Sequence, residues 1–220
     1  DGVIDAHDPM QMWAGGAAYG EAQLITHDCA LAATILEDSR TRSATIGDVD
    51  PSLAGMEFVA SFDPDWDDDF DKLALWDGSG PGPVWMVDIP RYSERRPWLT
   101  DLEGDGTVEI LSGAFVFDAL TGMQLATLDG MPLDGTGPPV AADLDLDGTQ
   151  EIIATSECDS QVIGMFAPDG SRLHTCWTGA VEWSSFIYAI GNLDDDPEGE
   201  FVAASYGTII VFDSDCTVLA

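Results

Sequence analysis

Carboxylates recur in this sequence at one short spacing. Asp101, Glu103, Asp105 and Glu109 occupy positions 1, 3, 5 and 9 of a stretch with Gly106 at position 6. Asp143, Asp145, Asp147 and Glu151 repeat the spacing around Gly148. A third copy has Asn192, Asp194, Asp196 and Glu200, with Pro197 where the others carry Gly. A looser copy, one residue longer, has Asp48, Asp50, Ser52 and Glu57, and Asp1 and Asp5 match the tail of a fifth. Such alternation brings carboxylates to one centre in a tight loop, and the Gly permits the bend. Position 7, held by Thr107, Thr149 and Glu198, can add a backbone carbonyl. About five protein oxygens, with water completing a shell of six to eight, is the coordination calcium takes. His and Cys are missing from the pattern, which argues against zinc and copper, and magnesium keeps more of its own water.

Without a cation these loops repel themselves. The alternative reading is that Asp and Gly simply make good turns, but several aligned copies weigh against it. An EF-hand is excluded, because it needs Glu at position 12 and flanking helices.

The closing acids Asp5, Glu57, Glu109, Glu151 and Glu200 lie 52, 52, 42 and 49 residues apart. A strand enters each acidic loop and another leaves it. Each copy then continues with an apolar run, an Asp- and Gly-rich turn, and a second run. The first runs are Lys72–Asp77, Ala114–Asp118, Val162–Phe166 and Thr208–Asp213. The second are Val84–Val87, Met123–Ala126, Arg172–His174 and Thr217–Leu219. These are hairpin signals. About four short strands per repeat of roughly 50 residues predicts an all-β chain, a β-propeller of four-stranded antiparallel blades. Parallel β-helix turns are shorter than this. The approximate repeats are 1–43, 44–97, 98–137, 138–183 and 184–220, the first and last incomplete, so the expectation is a partial propeller. Cys29–Glu37 has helical propensity, but the repeat assigns its first half to a strand.

The loop Asp-x-Asp-x-Asp-Gly-x-x-Asp/Glu between strands, at blade spacing, resembles the FG-GAP and VCBS repeats of integrin-α-like propellers. The resemblance covers nearly the whole chain. The loops at 101–109 and 143–151 match it, whereas 192–200 departs at Asn192 and Pro197 and 48–57 lacks the third carboxylate. The resemblance implies calcium on one rim and adhesion or ligand binding on other surfaces.

Acids outnumber Lys and Arg by 41 to 7, a formal net charge of −34, which excludes unaided binding to nucleic acid and to anionic membranes. The chain is 45% hydrophobic with seven Trp, enough to bury a core. No apolar run is long enough to span a membrane. Four Cys in an acidic chain of extracellular character suggest disulfides. Strand order favours Cys158 with Cys176 within one repeat and leaves Cys29 and Cys216 far apart; four buried thiols are the alternative.

Other features carry less. The acidic run Asp63–Asp71 reads as a solvated insertion, with a further cation as the alternative. His7, His27 and His174 lack ligand spacing. Arg91, Arg95 and Arg96 read as neutralising nearby carboxylates, with an acidic partner or glycan as the alternative. Trp66 and Trp98, beside loops, are the aromatics placed to meet a ligand. No nucleophile elbow, phosphate loop or dinucleotide fingerprint is present, and no acid–base pair stands out.

The expectation is therefore a non-catalytic, extracellular, calcium-binding module for adhesion, binding or assembly, with a protein or glycan ligand or with self-assembly through propeller edges. The alternatives are the propeller domain of a secreted polysaccharide-active enzyme and a structural subunit of an extracellular filament.

Overall fold

The fold is that of a computed structural model, which describes residues 11–15, 20–26, 31–52, 55–63, 70–77, 82–90, 96–133, 137–156, 162–178, 186–205 and 208–219. The features noted at Asp1 and Asp5, His7 and His27, Cys29 and Cys158, Trp66, and Arg91 and Arg95 lie outside these residues.

Every element among the described residues is a strand. The first six are β1 (Gln11–Gly15), β2 (Gly20–Thr26), β3 (Leu31–Gly47), β4 (Glu57–Asp63), β5 (Phe70–Trp76) and β6 (Trp85–Pro90). Then come β7 (Trp98–Thr100), β8 (Glu109–Ser112), β9 (Phe115–Asp118) and β10 (Gln124–Thr127). They are followed by β11 (Val140–Ala142), β12 (Glu151–Thr155), β13 (Val162–Phe166) and β14 (Arg172–Thr178). The last are β15 (Phe186–Gly191), β16 (Glu200–Ser205) and β17 (Thr208–Phe212). The apolar runs picked out in the sequence are β5, β9, β13 and β17. All pairings are antiparallel, and each sheet is a meander in which neighbours in sequence are neighbours in space.

The sheets are β1–β6, β7–β10, β11–β14 and β15–β17. The first is two meanders joined by β3, whose early residues pair with β2 and whose Arg40–Gly47 segment pairs with β4. The stretch with helical propensity therefore contributes to a strand from Leu31 onward. The ladder with β2 outweighs the local preference. In the last sheet a bridge from Phe212 to Val218 adds the trace of a fourth strand.

Residues on successive strand positions point to opposite faces of a sheet, and in the two middle sheets both faces are covered. On β8, Ile110 packs with Leu73, Leu75 and Ile89 of the preceding sheet. Its neighbour Leu111 packs with Ile152, Ala154 and Phe166 of the following one. On β12, Ile152 faces back in the same way, while Ile153 packs with Phe201, Ala203 and Phe212 of the last sheet. The sheets are thus stacked in chain order, and β4, β8 and β12 are buried at every position. Behind the Glu that opens each of them, consecutive apolar pairs such as Phe58-Val59, Ile110-Leu111 and Ile152-Ile153 replace the alternation a half-exposed strand would show. A separate aromatic cluster of Phe58, Phe62 and Trp76 fills the other side of the β3–β6 meander, with Phe58 and Trp76 stacked at 4.8 Å.

The acidic run at 63–71 does not read as wholly solvated. Asp63 ends β4, Asp71 lies in β5, and both are buried. A backbone already committed to a ladder carries its end residues inward with it.

Candidate metal centres

Each acidic stretch is the connection between the first two strands of a meander. Position 1 follows the end of β3, β7, β11 or β15, and the closing acid opens β4, β8, β12 or β16. The closing acids Glu57, Glu109, Glu151 and Glu200 sit directly opposite the last residue of the incoming strand. All four are buried.

One contact is common to the four loops: Oε2 of the closing Glu accepts the backbone N–H of position 2. Val49 donates to Glu57 at 2.8 Å, Leu102 to Glu109 at 2.9 Å and Leu144 to Glu151 at 2.8 Å. Leu193 does the same to Glu200. The side chains of Val49, Leu102 and Leu144 are buried, whereas Leu193 is exposed. In the loops at 48–57, 101–109 and 143–151 position 2 is therefore the anchor that pins a polar loop to the core. The apolar residue at this place in all four copies was the sequence signal for it, and reading the acids alone passed over it.

The remaining acids fold the loop. Asp101 takes the N–H groups of Asp105 at 3.0 Å and Gly106 at 2.8 Å, and Asp105 takes that of Thr107 at 2.7 Å. Asp143 takes that of Gly148 at 3.1 Å, Asp145 that of Asp147 at 3.1 Å and Asp147 that of Thr149 at 2.8 Å. Positions 4 and 6 are left-handed in both loops: Gly104 (φ 69°), Gly106 (φ 90°), Leu146 (φ 62°) and Gly148 (φ 95°). Leu146 lacks the freedom of glycine there, at a cost of about 1–2 kcal/mol. The sequence pointed to position 6; position 4 is as demanding.

Two loops bring three carboxylates together. Oxygens of Asp143, Asp145 and Glu151 lie within 4.8 Å of one another, as do those of Asp194, Asp196 and Glu200. In both, one carboxylate oxygen is buried with no hydrogen-bond partner: Asp143 Oδ1 and Glu200 Oε1. An orphaned buried acceptor is costly, and an anionic one beside two more carboxylates is a place for a cation. Among the described residues, the loops at 101–109 and 48–57 form no such triad; in the latter Asp50 is held by the Ser52 N–H and hydroxyl. In the third loop Asn192 Nδ2 donates to the Asp196 carbonyl, leaving its Oδ1 as the atom it can offer. Glu198 is turned aside, accepting from the Ser214 hydroxyl at 2.7 Å.

Crowding shows in the protonation equilibria. Burial pushes the Glu109 carboxyl up to about 7, opposed by the Leu102 N–H and reinforced by Glu103, Asp101 and Asp105. Glu151 is raised for the same first reason, with Asp145 and Asp147 adding to it. Asp196 is raised by desolvation and by Asp194, Asp213 and Glu200. Asp105, by contrast, is lowered by its bonds from Thr107.

Neighbouring loops are stitched together. The N–H of position 8 donates to the position-2 carbonyl of the preceding loop: Gln150 to Leu102 at 2.8 Å and Gly199 to Leu144 at 2.8 Å. The Gln150 side chain adds a bond to the Asp101 carbonyl at 3.0 Å and accepts one from the Thr100 hydroxyl at 2.5 Å. The three loops therefore form one continuous row.

The expected disulfide is corrected. Cys176 of β14 is bonded to Cys216, in the turn after β17, with Cα atoms 4.7 Å apart. Pairing within one repeat ignored that the outer strand of one sheet lies beside the last turn of the next. Other sequence candidates have structural surroundings. Trp98 is exposed on β7, and His174 is exposed on β14. Among the described residues, no helix is long and apolar enough to cross a membrane.

The chain matches no protein-family model, and no curated protein matches it in sequence. Its fold is similar to that of the V. cholerae biofilm matrix protein Bap1, with a TM-score of 0.68 at 17% identity over 98% of this chain and 37% of that one. It is also similar to the exotype rhamnogalacturonan lyase YesX, with a TM-score of 0.57 at 15% identity over 95% of this chain and 44% of the lyase. A rhamnogalacturonan lyase of Bacillus licheniformis gives 0.55 at 15% identity over 95% of this chain and 45% of the lyase. The chain spans less than half the length of each. At such identities the likeness is one of fold, and it extends to a matrix protein and to enzymes alike.

Proposed function

We propose that this chain is part of an extracellular β-propeller whose acidic hairpin loops hold calcium, and that it serves as a binding, adhesion or assembly module. Stacked antiparallel meanders, the middle two of four strands each and packed against a sheet on either side, support the propeller. The observation that carries the metal is the buried, unpartnered oxygen of Glu200, repeated at Asp143, each beside two further carboxylates. Asp143, Asp145 and Glu151 would hold one ion, and Asp194, Asp196 and Glu200 another, with Asn192 and position-7 carbonyls as further oxygens. The loop at 101–109 would follow on ordering of Asp101, Glu103, Asp105 and Glu109. Calcium supplies charge neutralisation there, and a ligand that binds only the folded chain stabilises it, by about 2.7 kcal/mol at a hundred times Kd. The Cys176–Cys216 bond supports an oxidising, extracellular setting.

The test is thermal unfolding in chelator and in calcium. The melting temperature should fall on chelation and recover when calcium, but not magnesium, is restored. An unchanged melting temperature after exhaustive chelation would sink the metal reading. Binding is then sought by screening proteins and glycans against the calcium-loaded chain.

The face of β16 and β17 turned away from the third sheet carries Ile209, which is 68% exposed, beside half-buried Val202 and Val211. On the third sheet the corresponding Ile153, Ile163 and Met165 are buried under the next sheet. A second reading, a domain of a polysaccharide-active enzyme, is supported by the fold likeness to two lyases. Cleavage of rhamnogalacturonan by the purified chain would favour it over the first.

A further inference from the structure

The three hairpin turns that follow β9, β13 and β17 occupy equivalent places, because Ile110, Ile152 and Phe201 pair with Phe117, Phe166 and Phe212. The residue after the first turn position is Ala119, Pro168 or Ser214. Only Ser214 has a side-chain donor, and that hydroxyl reaches Glu198 in the acidic loop at 2.7 Å. The other two loops carry Thr107 and Thr149 at the place of Glu198.

The turns differ at a second position. Each is closed by a left-handed residue whose N–H bonds back to the first turn position: Gly122 to Asp118 at 2.9 Å, Gly170 to Ala167 at 2.9 Å and Cys216 to Asp213 at 2.8 Å. Glycine holds that conformation freely at φ 70° and 81°, but Cys216 holds it at φ 69° despite its Cβ. It is this residue that is bonded to Cys176 on the neighbouring sheet. The third loop is also the one whose position 1 is neutral, Asn192 in place of Asp.

We infer that the 192–200 cation site is a composite of two hairpins, in which the turn at 213–216 positions the loop through Ser214 and Glu198, and that the Cys176–Cys216 bond sets its calcium affinity. The inference rests on the calcium reading above. The disulfide ties the turn to β14 of the neighbouring sheet, the Ser214 hydroxyl fixes the side chain of position 7, and Asp213 adds negative charge beside Asp196, making up for Asn192. The sites at 101–109 and 143–151 have no such dependence, since Ala119 and Pro168 cannot make the contact. Oxidation would then complete the third site only, so that the chain gains its full set of ions after leaving a reducing compartment. Ser214 is a positioning residue, acting on the ion through Glu198.

Calorimetric calcium titration tests this on the whole chain, with Glu200→Gln marking which binding event belongs to the third loop. Ser214→Ala and the double variant Cys176→Ser/Cys216→Ser should each weaken that event by about tenfold or more, the usual effect of losing an outer-shell partner. The other events should be unchanged, and Ser214→Thr should restore the affinity. Circular dichroism checks folding; if the double variant is unfolded, Ser214→Ala and Ser214→Thr decide alone. Wild-type affinity at the third loop in Ser214→Ala overturns the inference and leaves the calcium reading standing. A wild-type chain that binds no calcium overturns both.

Discussion

The backbone N–H of Leu102 donates to Oε2 of Glu109 at 2.9 Å, with the leucine side chain and the carboxylate both buried. One bond thus ties the apolar anchor of the loop to the acid that closes it. The carboxylate is held where its charge is costly, among Asp101, Glu103 and Asp105.

That placement has a sign in pH. The Glu109 carboxyl is raised from its ordinary 4.5 to about 7. Its protonated form favours the folded state, so its contribution is complete below about pH 4.5 and is lost as pH rises through about 7. In chelator, stability should therefore decline across that window, and Glu109→Gln should flatten the profile. With calcium the trend reverses, because cation and proton compete for one carboxylate. Affinity at the 101–109 loop should rise with pH and level off above about 7. Melting curves across pH with and without calcium measure both.

The two-faced burial of β12 makes a packing prediction. Ile152 and Ile153 lie in different cores, so Ile152→Ala and Ile153→Ala should each cost about 2–5 kcal/mol. Ile209→Ala, on an exposed position, should stay within about 0.5 kcal/mol for the isolated chain. Urea unfolding compares the three.

Gly170 has no room for a methyl group. It is left-handed at φ 81°, and a Cβ would stand 2.4 Å from the Thr127 carbonyl oxygen of the neighbouring sheet. Its own carbonyl accepts the Asp129 N–H at 2.9 Å. Gly170→Ala should therefore lose about 2–3 kcal/mol, combining backbone strain with a displaced inter-sheet contact. Chemical denaturation checks the value.

Arg172 bridges the same two sheets. Its guanidinium gives Nε and Nη2 to the Asp129 carbonyl at 3.1 and 2.6 Å, and lies 5.2 Å from the centre of the Phe166 ring. Lysine keeps the charge but not the fork or the flat stacking surface. Arg172→Lys should cost about 1 kcal/mol, and raised salt should not reproduce the loss. Unfolding of both proteins at low and high salt tests it.

Much of the fold was legible because it is local. Short apolar runs separated by Asp and Gly turns are β5, β9, β13 and β17, and the repeat assigned the first half of Cys29–Glu37 to a strand against its helical propensity. The 1, 3, 5, 9 spacing marked the loops for the same reason. Less legible was the division of labour among acids. Glu109 and Glu151 serve as buried staples as well as candidate ligands, and Glu198 turns to Ser214, a residue 16 positions away.

By itself the sequence determined which acids share a loop, since nine residues of chain and a tight bend allow few other arrangements. Only the tertiary structure decided which loops lie side by side, that Cys176 meets Cys216, and which oxygens, Asp143 Oδ1 and Glu200 Oε1, are left buried without a donor. Those outcomes depend on how one sheet stacks on the next, and stacking is a matter of contacts between residues that no local spacing brings together.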